Sequence, residues 1–180
     1  MHRLENPARV AELNPPETLR RIGLKPGGVF LDVGAGTGLF TFEAARLTGA
    51  AVYAVEISDG MLSILAEKKE STGLENVRIV EGVENAPDGE CDLAMLSTVL
   101  HELSEPDAVL SHIRRALKPG GKLAVIEFHD HPTPMGPPPS IRLSEARVLD
   151  ILTAAGFQPE GAFTLGENMY CLTALSPAPR

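Results

Sequence analysis

Val29-Phe30-Leu31-Asp32-Val33-Gly34-Ala35-Gly36-Thr37-Gly38 is an apolar run that breaks into three glycines at alternate positions. A short run without polar alternation fits a strand buried on both faces. The glycines permit a tight turn and let backbone N–H groups approach a ligand closely, and a following helix adds unpaired donors at its start. Phe40, Ala44, Ala45 and Leu47 supply that helix face, which stops at Gly49. In open α/β sheets a ligand sits beyond the carboxyl ends of the strands where strand order reverses, usually after the first strand. A dinucleotide fingerprint G-x-G-x-x-G would need glycine at position 39, where Leu39 stands; the third glycine is Gly38. That spacing weakens a nicotinamide reading.

Outward from this turn, strand and helix signals alternate. Ala51 to Val55 is a second apolar run, followed by a helix capped by Ser58 or Asp59 that carries Met61, Leu62 and Leu65 on one face and ends near Gly73. Val77–Val80 and Cys91–Leu96 predict two more strands. Ser104 opens a helix through Val109, Leu110, Ile113 and Leu117, and Leu123–Phe128 predicts a fifth strand. A proline-dense loop from His131 to Pro139 precedes a last helix, from about Ser144 to Gly156, and two strands joined around Gly166-Glu167-Asn168. This order implies a mainly parallel sheet covered on both faces, whose last, tightly joined strand is antiparallel. Residues 1–16 show little periodicity and read as an arm lying on the body, followed by a short helix from Glu17 to about Ile22.

The whole chain, 180 residues with 43% hydrophobic and 22% charged content, suits a single globular domain, with a core from 27 to 175. Sixteen Lys+Arg against twenty-four Asp+Glu give a formal net charge of −8, with the basic residues scattered. Nucleic acid and anionic lipid surfaces are therefore poor partners. The start, Met1 to Pro7, lacks the apolar core of a signal peptide and no run approaches a membrane span, so a cytoplasmic location is expected. Cys91 and Cys171, each within an apolar run, read as buried free thiols. Glu56 closes the second strand, where an acidic side chain can accept hydrogen bonds from both hydroxyls of a ribose. With Gly34, Gly36 and Gly38 it specifies an adenosine-containing ligand better than either feature alone.

Leu31-Asp32-Val33-Gly34-Ala35-Gly36-Thr37-Gly38 resembles motif I of the class I S-adenosylmethionine-dependent methyltransferases. Ala54-Val55-Glu56-Ile57-Ser58 is similar to the family's ribose-binding strand end, Leu96–Leu103 to the stretch after strand four, and Leu117-Lys118-Pro119-Gly120-Gly121 to the turn before strand five. The resemblance is closest to the type 11 methyltransferases, relatives of the C-methyltransferases of ubiquinone and menaquinone biosynthesis. It implies a Rossmann-like fold of seven strands and S-adenosylmethionine as cofactor, with S-adenosylhomocysteine as product. Asp32 would orient the glycine loop and approach the methionine part, with Gly34, Ala35 and Gly36 facing it. Glu56 would hold the ribose, Ile57 and Met61 would flank the adenine, and Ser97 and Thr98 would complete the set. Relatives commonly carry Gly-Asp after strand three; here Gly82 is followed by Val83, so either Glu84 or the backbone would meet the adenine amino group.

Methyl transfer from a sulfonium is an in-line displacement that the enzyme mainly positions, but an oxygen, nitrogen or carbon acceptor must also lose a proton. His101, just after strand four, is the first candidate base, because its unperturbed pKa lies near working pH. Packing or capping is its ordinary alternative. Glu127, His129 and His131 alternate from the end of strand five and, in an extended conformation, point to one side at the pocket mouth. Glu127 and His129 are the candidates for acceptor contact; two histidines and a carboxylate could also bind a metal, but such residues at a strand end are usually solvated, and no metal is assigned. The loop Met135-Gly136-Pro137-Pro138-Pro139 is either a pocket wall or a surface polyproline segment, and Met169 and Tyr170 either reach the pocket or pack in the core. The expected function is methyl transfer to a small-molecule acceptor, with a homodimer compatible with the sequence. A cofactor-binding module or regulator without methyl transfer is the alternative.

Overall fold

The computed structural model describes residues 6–177. Seven strands, β1 (Phe30–Val33), β2 (Val52–Glu56), β3 (Val77–Glu81), β4 (Cys91–Ser97), β5 (Leu117–Phe128), β6 (Gln158–Leu165) and β7 (Met169–Leu175), form one sheet in the order β3-β2-β1-β4-β5-β7-β6. β1 pairs in parallel with both β2 and β4, while β7 runs antiparallel to β5 and β6. Chain order therefore reverses at β1. The connections after β1 and β4 leave in opposite directions and open a crevice at their carboxyl ends.

Side chains alternate across the pleat and divide the core in two. Phe30, Ala54, Met95 and Ile126 face one layer, with Leu13, Leu19, Phe40 and Leu65. Leu31, Val55, Leu96 and Val125 face the other, with Leu110, Ile113, Val148 and Leu152. The helices are α3 (Leu39–Thr48), α4 (Asp59–Thr72), α5 (Pro106–Ala116) and α6 (Glu145–Ala154), preceded by α1 (Pro7–Leu13) and α2 (Pro15–Arg21). Both cysteines are buried and free. Among the described residues no helix is long and apolar enough to cross a membrane.

The expected arm is instead two helices back to back. Asn6 accepts from the Ala8 N–H at 2.9 Å and Pro7 occupies the first helical turn, a position where its missing N–H costs nothing. Asn14 turns the chain at φ 37°, and Pro15 begins α2 two residues before the expected start. The signals are the two Asn-Pro dipeptides, which periodicity alone does not weigh. α5 likewise begins at Pro106 rather than near Ser104. Residues 1–5 lie outside the described residues.

α1 is fastened at its far end. Glu12 Oε1 accepts from the Glu167 and Asn168 N–H groups at 2.6 and 2.8 Å, and Asn168 Nδ2 donates to both carboxylate oxygens. The first described helix is thus tied to the β6–β7 turn.

Candidate active site

The glycine loop after β1 is shaped by its neighbours. Gly34, Gly36 and Gly38 all have positive φ, at 72°, 54° and 80°. A Cβ on Gly34 would sit 2.5 Å from Val99 Cγ2, so the loop and the chain leaving β4 approach too closely for a side chain. Gly34 and Ala35 N–H both donate to the Val55 carbonyl at 2.9 Å. Glu56 Oε2 accepts from the Gly36 N–H at 2.8 Å, and Oε1 from the Ile57 and Ser58 N–H groups at 2.8 and 3.1 Å. One carboxylate thereby fixes the glycine loop and the end of β2 against each other.

A cavity of about 1110 Å³ opens over this loop. It exceeds the roughly 300–1,000 Å³ usual for small-molecule sites. Asp32, Gly34, Ala35, Gly36, Glu56, Ile57, Met61, Val83, Glu84, Ser97, Thr98 and His101 all line it, so most of the expected site residues come together. Ile57, the most exposed large apolar side chain among the described residues at 79%, stands at its rim. Two buried hydroxyls on its lining, Thr37 Oγ1 and Ser97 Oγ, have no hydrogen-bond partner among the described residues.

Gly38 and Gly82 do not line the cavity. Gly38 is the N-cap of α3, where a Cβ would collide with the Phe42 ring and lie 2.9 Å from Leu65 Cδ2. Gly82 turns the chain after β3 at φ 76°, and a Cβ there would overlap the Glu84 carboxylate. Both glycines shape backbone.

His101 sits on a 3-10 turn, Leu100–Glu102. Its ring Nδ1 is 2.7 Å from Glu127 Oε2, and its backbone N–H donates to Glu127 Oε1 at 3.1 Å. Glu127, fully buried, accepts from both, so Nδ1 carries the proton and Nε2 is the basic nitrogen of the neutral ring. The Glu127 hydrogen bond raises the His101 pKa, burial opposes it, and the charges of Glu127 and Glu102 add to the rise. Glu127 thus lies behind His101 and is not itself on the cavity lining. His129 is not on the cavity lining: its N–H donates to the Asn168 carbonyl, and its ring lies against those of His131 and Tyr170. His129 and His131 lie together, with ring centroids 5.1 Å apart, while Glu127 pairs with His101, and none of the three is on the cavity lining. Among the described residues no group of three or more His, Cys, Asp or Glu is placed to hold a metal ion.

The proline loop is a cavity wall, contributing Pro134, Met135, Gly136, Pro137 and Pro138. Arg142 holds it: Nε donates to the Pro137 carbonyl, Nη2 to Met135, and Nη1 to the His129 and His131 carbonyls and the Thr133 hydroxyl, all within 3.2 Å. Asn168 Oδ1 accepts from the Met135 N–H at 2.9 Å. Met169 is fully buried, and Tyr170 is buried with its hydroxyl donating to the Leu143 carbonyl, so both pack in the core.

Asp32 is buried beneath the loop, accepting from the Thr41 hydroxyl at 2.6 Å. Burial pushes its carboxyl from 3.8 up to about 6, with the Thr41 hydrogen bonds opposing and the Glu56 charge adding. A raised carboxyl favours the folded state when protonated, so its contribution is present below pH ~4 and is lost as pH rises through about 6. Asp32→Asn should therefore stabilise the protein at pH 7 by up to about 3 kcal/mol and by nothing at pH ~3.5. Urea unfolding at the two pH values measures this; a gain equal at both would trace to packing instead.

The sequence profile of the methyltransferase domain matches residues 31–125, just over half of the chain. A solved S-adenosylmethionine-dependent methyltransferase from Aquifex aeolicus is 32% identical and superposes with a TM-score of 0.90 over 96% of this chain and 94% of its own. The chain belongs to the type 11 S-adenosylmethionine-dependent methyltransferases. The ubiquinone/menaquinone biosynthesis C-methyltransferase UbiE of Shewanella halifaxensis is 35% identical over 117 residues, 62% of this chain. This chain spans about half the length of such curated relatives, 47% in that case. The [4+2]-cyclase SpnF, 23% identical with a TM-score of 0.80 over 93% of this chain and 81% of its own, shares the fold. A methyltransferase fold therefore does not by itself name the reaction.

Proposed function

We propose that this chain transfers the methyl group of S-adenosylmethionine to a small-molecule acceptor that gives up a proton in the reaction. The observation that carries this reading is the Glu127–His101 pair, held at 2.7 Å with the imidazole on the wall of the cavity that the glycine loop shares. The residues suit the cofactor: Ile57, Met61 and Val83 offer apolar surface to a base, Glu56 keeps lone pairs for ribose hydroxyls, and the unpartnered Thr37 and Ser97 hydroxyls can meet its polar atoms. The bound cofactor supplies a methyl group on a sulfonium, open to in-line displacement. The chain's part is to hold the acceptor in line, exclude water with the Pro134–Pro138 wall, and take the acceptor's proton onto His101 Nε2. Glu127 keeps the ring oriented and stabilises the imidazolium that results.

The net charge of −8 and the concave, loop-walled site support a small acceptor rather than nucleic acid. Release of S-adenosylhomocysteine over a panel of phenols, amines, carbon acids and thiols tests the reading. Binding of the cofactor without release from any of them would favour the non-transferring alternative.

Glu56→Ala should weaken S-adenosylhomocysteine binding by about 1.5–3 kcal/mol, the range for hydrogen bonds to a charged group. Calorimetry reads it directly, and a loss of only a few tenths would return Glu56 to a purely structural role on the Gly36, Ile57 and Ser58 N–H groups.

A further inference from the structure

We infer that the methyl acceptor is an amine that arrives as an ammonium ion, and that Glu102, beside His101, selects it. This assignment rests on the methyl-transfer reading above and names its substrate class. Glu102 follows His101 on the 3-10 turn, lines the same cavity and holds its Oε1 3.7 Å from His101 Nε2. Three observations converge on that pair.

The first is hydrogen-bond chemistry. Glu127 fixes the His101 proton on Nδ1, so Nε2 of the neutral ring is an acceptor, and the Glu102 carboxylate is another. Two acceptors cannot bond each other, and their 3.7 Å separation is beyond hydrogen-bond distance. A donor with at least two N–H bonds serves both. An ammonium has three, whereas a hydroxyl or a thiol has a single proton to give.

The second is charge. The cavity lining carries four carboxylates, Asp32, Glu56, Glu84 and Glu102, against one lysine or arginine among the described residues, Arg9, whose Nη2 donates to Thr98 Oγ1 at 2.9 Å. The cofactor adds a sulfonium and an ammonium against one carboxylate, so the occupied cavity remains acidic. Such a site draws in a cation and repels a carboxylate or phosphate. The Glu127 hydrogen bond and the charges of Glu127 and Glu102 all raise the His101 pKa. The same charges act alike on a neighbouring ammonium, so they do not oppose proton transfer from it to Nε2.

The third is placement. The His101 side chain is 4% exposed and that of Glu102 72%, so the carboxylate stands at the mouth and the imidazole inside. Phe128, Met135, Pro137 and Pro138 give the same cavity an apolar wall for the body of the amine. His101 Nε2 takes one proton from the ammonium and frees the nitrogen lone pair. That pair bonds the methyl carbon as the carbon–sulfur bond breaks, its electrons staying on sulfur, and His101 then releases its proton to water. Positive charge thus passes from sulfur to nitrogen, where Glu102 faces it, and charge developing beside a fixed carboxylate is stabilised in the transition state.

Benzylamine, benzyl alcohol and benzoate, alike in shape and different in charge, test the assignment by calorimetric titration into the S-adenosylhomocysteine-saturated protein near neutral pH. Benzylamine should bind about tenfold more tightly than benzyl alcohol, as an exposed ion pair and one hydrogen bond together provide, and benzoate most weakly. Glu102→Gln should cut that preference to about threefold or less, the ion-pair share being lost. It should bind S-adenosylhomocysteine and benzyl alcohol as wild type does, which also shows that it is folded, and Glu102→Asp should restore part of the preference. Wild-type protein that binds benzylamine no better than benzyl alcohol or benzoate overturns the assignment, as does a preference that Glu102→Gln leaves whole. With S-adenosylmethionine supplied, mass spectrometry should find N-methylbenzylamine. Transfer to phenol or thiophenol with none to benzylamine overturns the assignment and leaves the methyl-transfer reading standing. Cofactor binding with no transfer to any amine, phenol, carbon acid or thiol would overturn that reading and this assignment with it.

Discussion

His101→Ala should lower turnover on an identified acceptor by about 10²–10⁴-fold while leaving S-adenosylmethionine affinity nearly unchanged, because a positioned base acts chiefly in the transition state. Wild-type turnover should rise with pH through a titration above 6.5, since the Glu127 hydrogen bond raises the His101 pKa and only the neutral ring can take a proton. Glu127→Gln supplies the internal control. Removing the charge behind Nδ1 should shift that titration downward and reduce turnover, whereas a merely structural Glu127 would lower stability without moving the pH profile. Full turnover in His101→Ala would point to an acceptor, such as a thiolate, that needs no base.

Gly38→Ala should cost about 2–5 kcal/mol of stability, the sum of forcing a left-handed conformation on a residue with a Cβ, about 1–2, and of overpacking a core, about 1–3. The overpacking comes from Phe42 and Leu65, both buried, on which the new methyl would press. Gly49→Ala separates the two causes. Gly49 also has positive φ, at 68°, but a methyl placed there would meet nothing within 4 Å, so it should lose only the backbone share. Equal losses in urea unfolding would show that Phe42 and Leu65 yield and that Gly38 is there for φ alone.

Much of the site is legible in the sequence because it lies at strand ends in a fold with a fixed reversal point. The three glycines, Glu56 at the end of β2 and His101 after β4 are placed by the sheet itself, and the cavity gathers Asp32, Ile57, Met61, Ser97 and Thr98 as the motifs imply. Gly38 and Gly82 look like ligand contacts in the sequence because it does not distinguish a glycine that faces a ligand from one that clears a neighbouring side chain. The expectation for Glu127 and His129 rests on strand alternation, which gives a side of the strand but not a partner; in the fold Glu127 pairs with His101 and the His129 ring lies against Tyr170. Arg9, Arg142 and Asn168 leave no local trace of their roles. Arg142 reaches backbone carbonyls up to thirteen residues away, and Arg9 meets Thr98 across 89 residues, contacts that only the folded chain creates. For Arg9 a clue exists in Asn6-Pro7, which announces a helix where an arm is expected.

The bond between Glu12 and the β6–β7 turn spans 155 residues and so sets an order of events during synthesis. α1 leaves the ribosome well before its anchor is made, and loop closure over such a distance carries a large entropic cost until the sheet has drawn its ends together. Arg9 rides on α1 and Met135 hangs from Asn168, so both sides of the cavity wait on the same late turn. A nascent chain carries its glycine loop long before it has a finished pocket around it. The β6–β7 hairpin is thus the piece of chain on which the two walls of the cavity jointly depend.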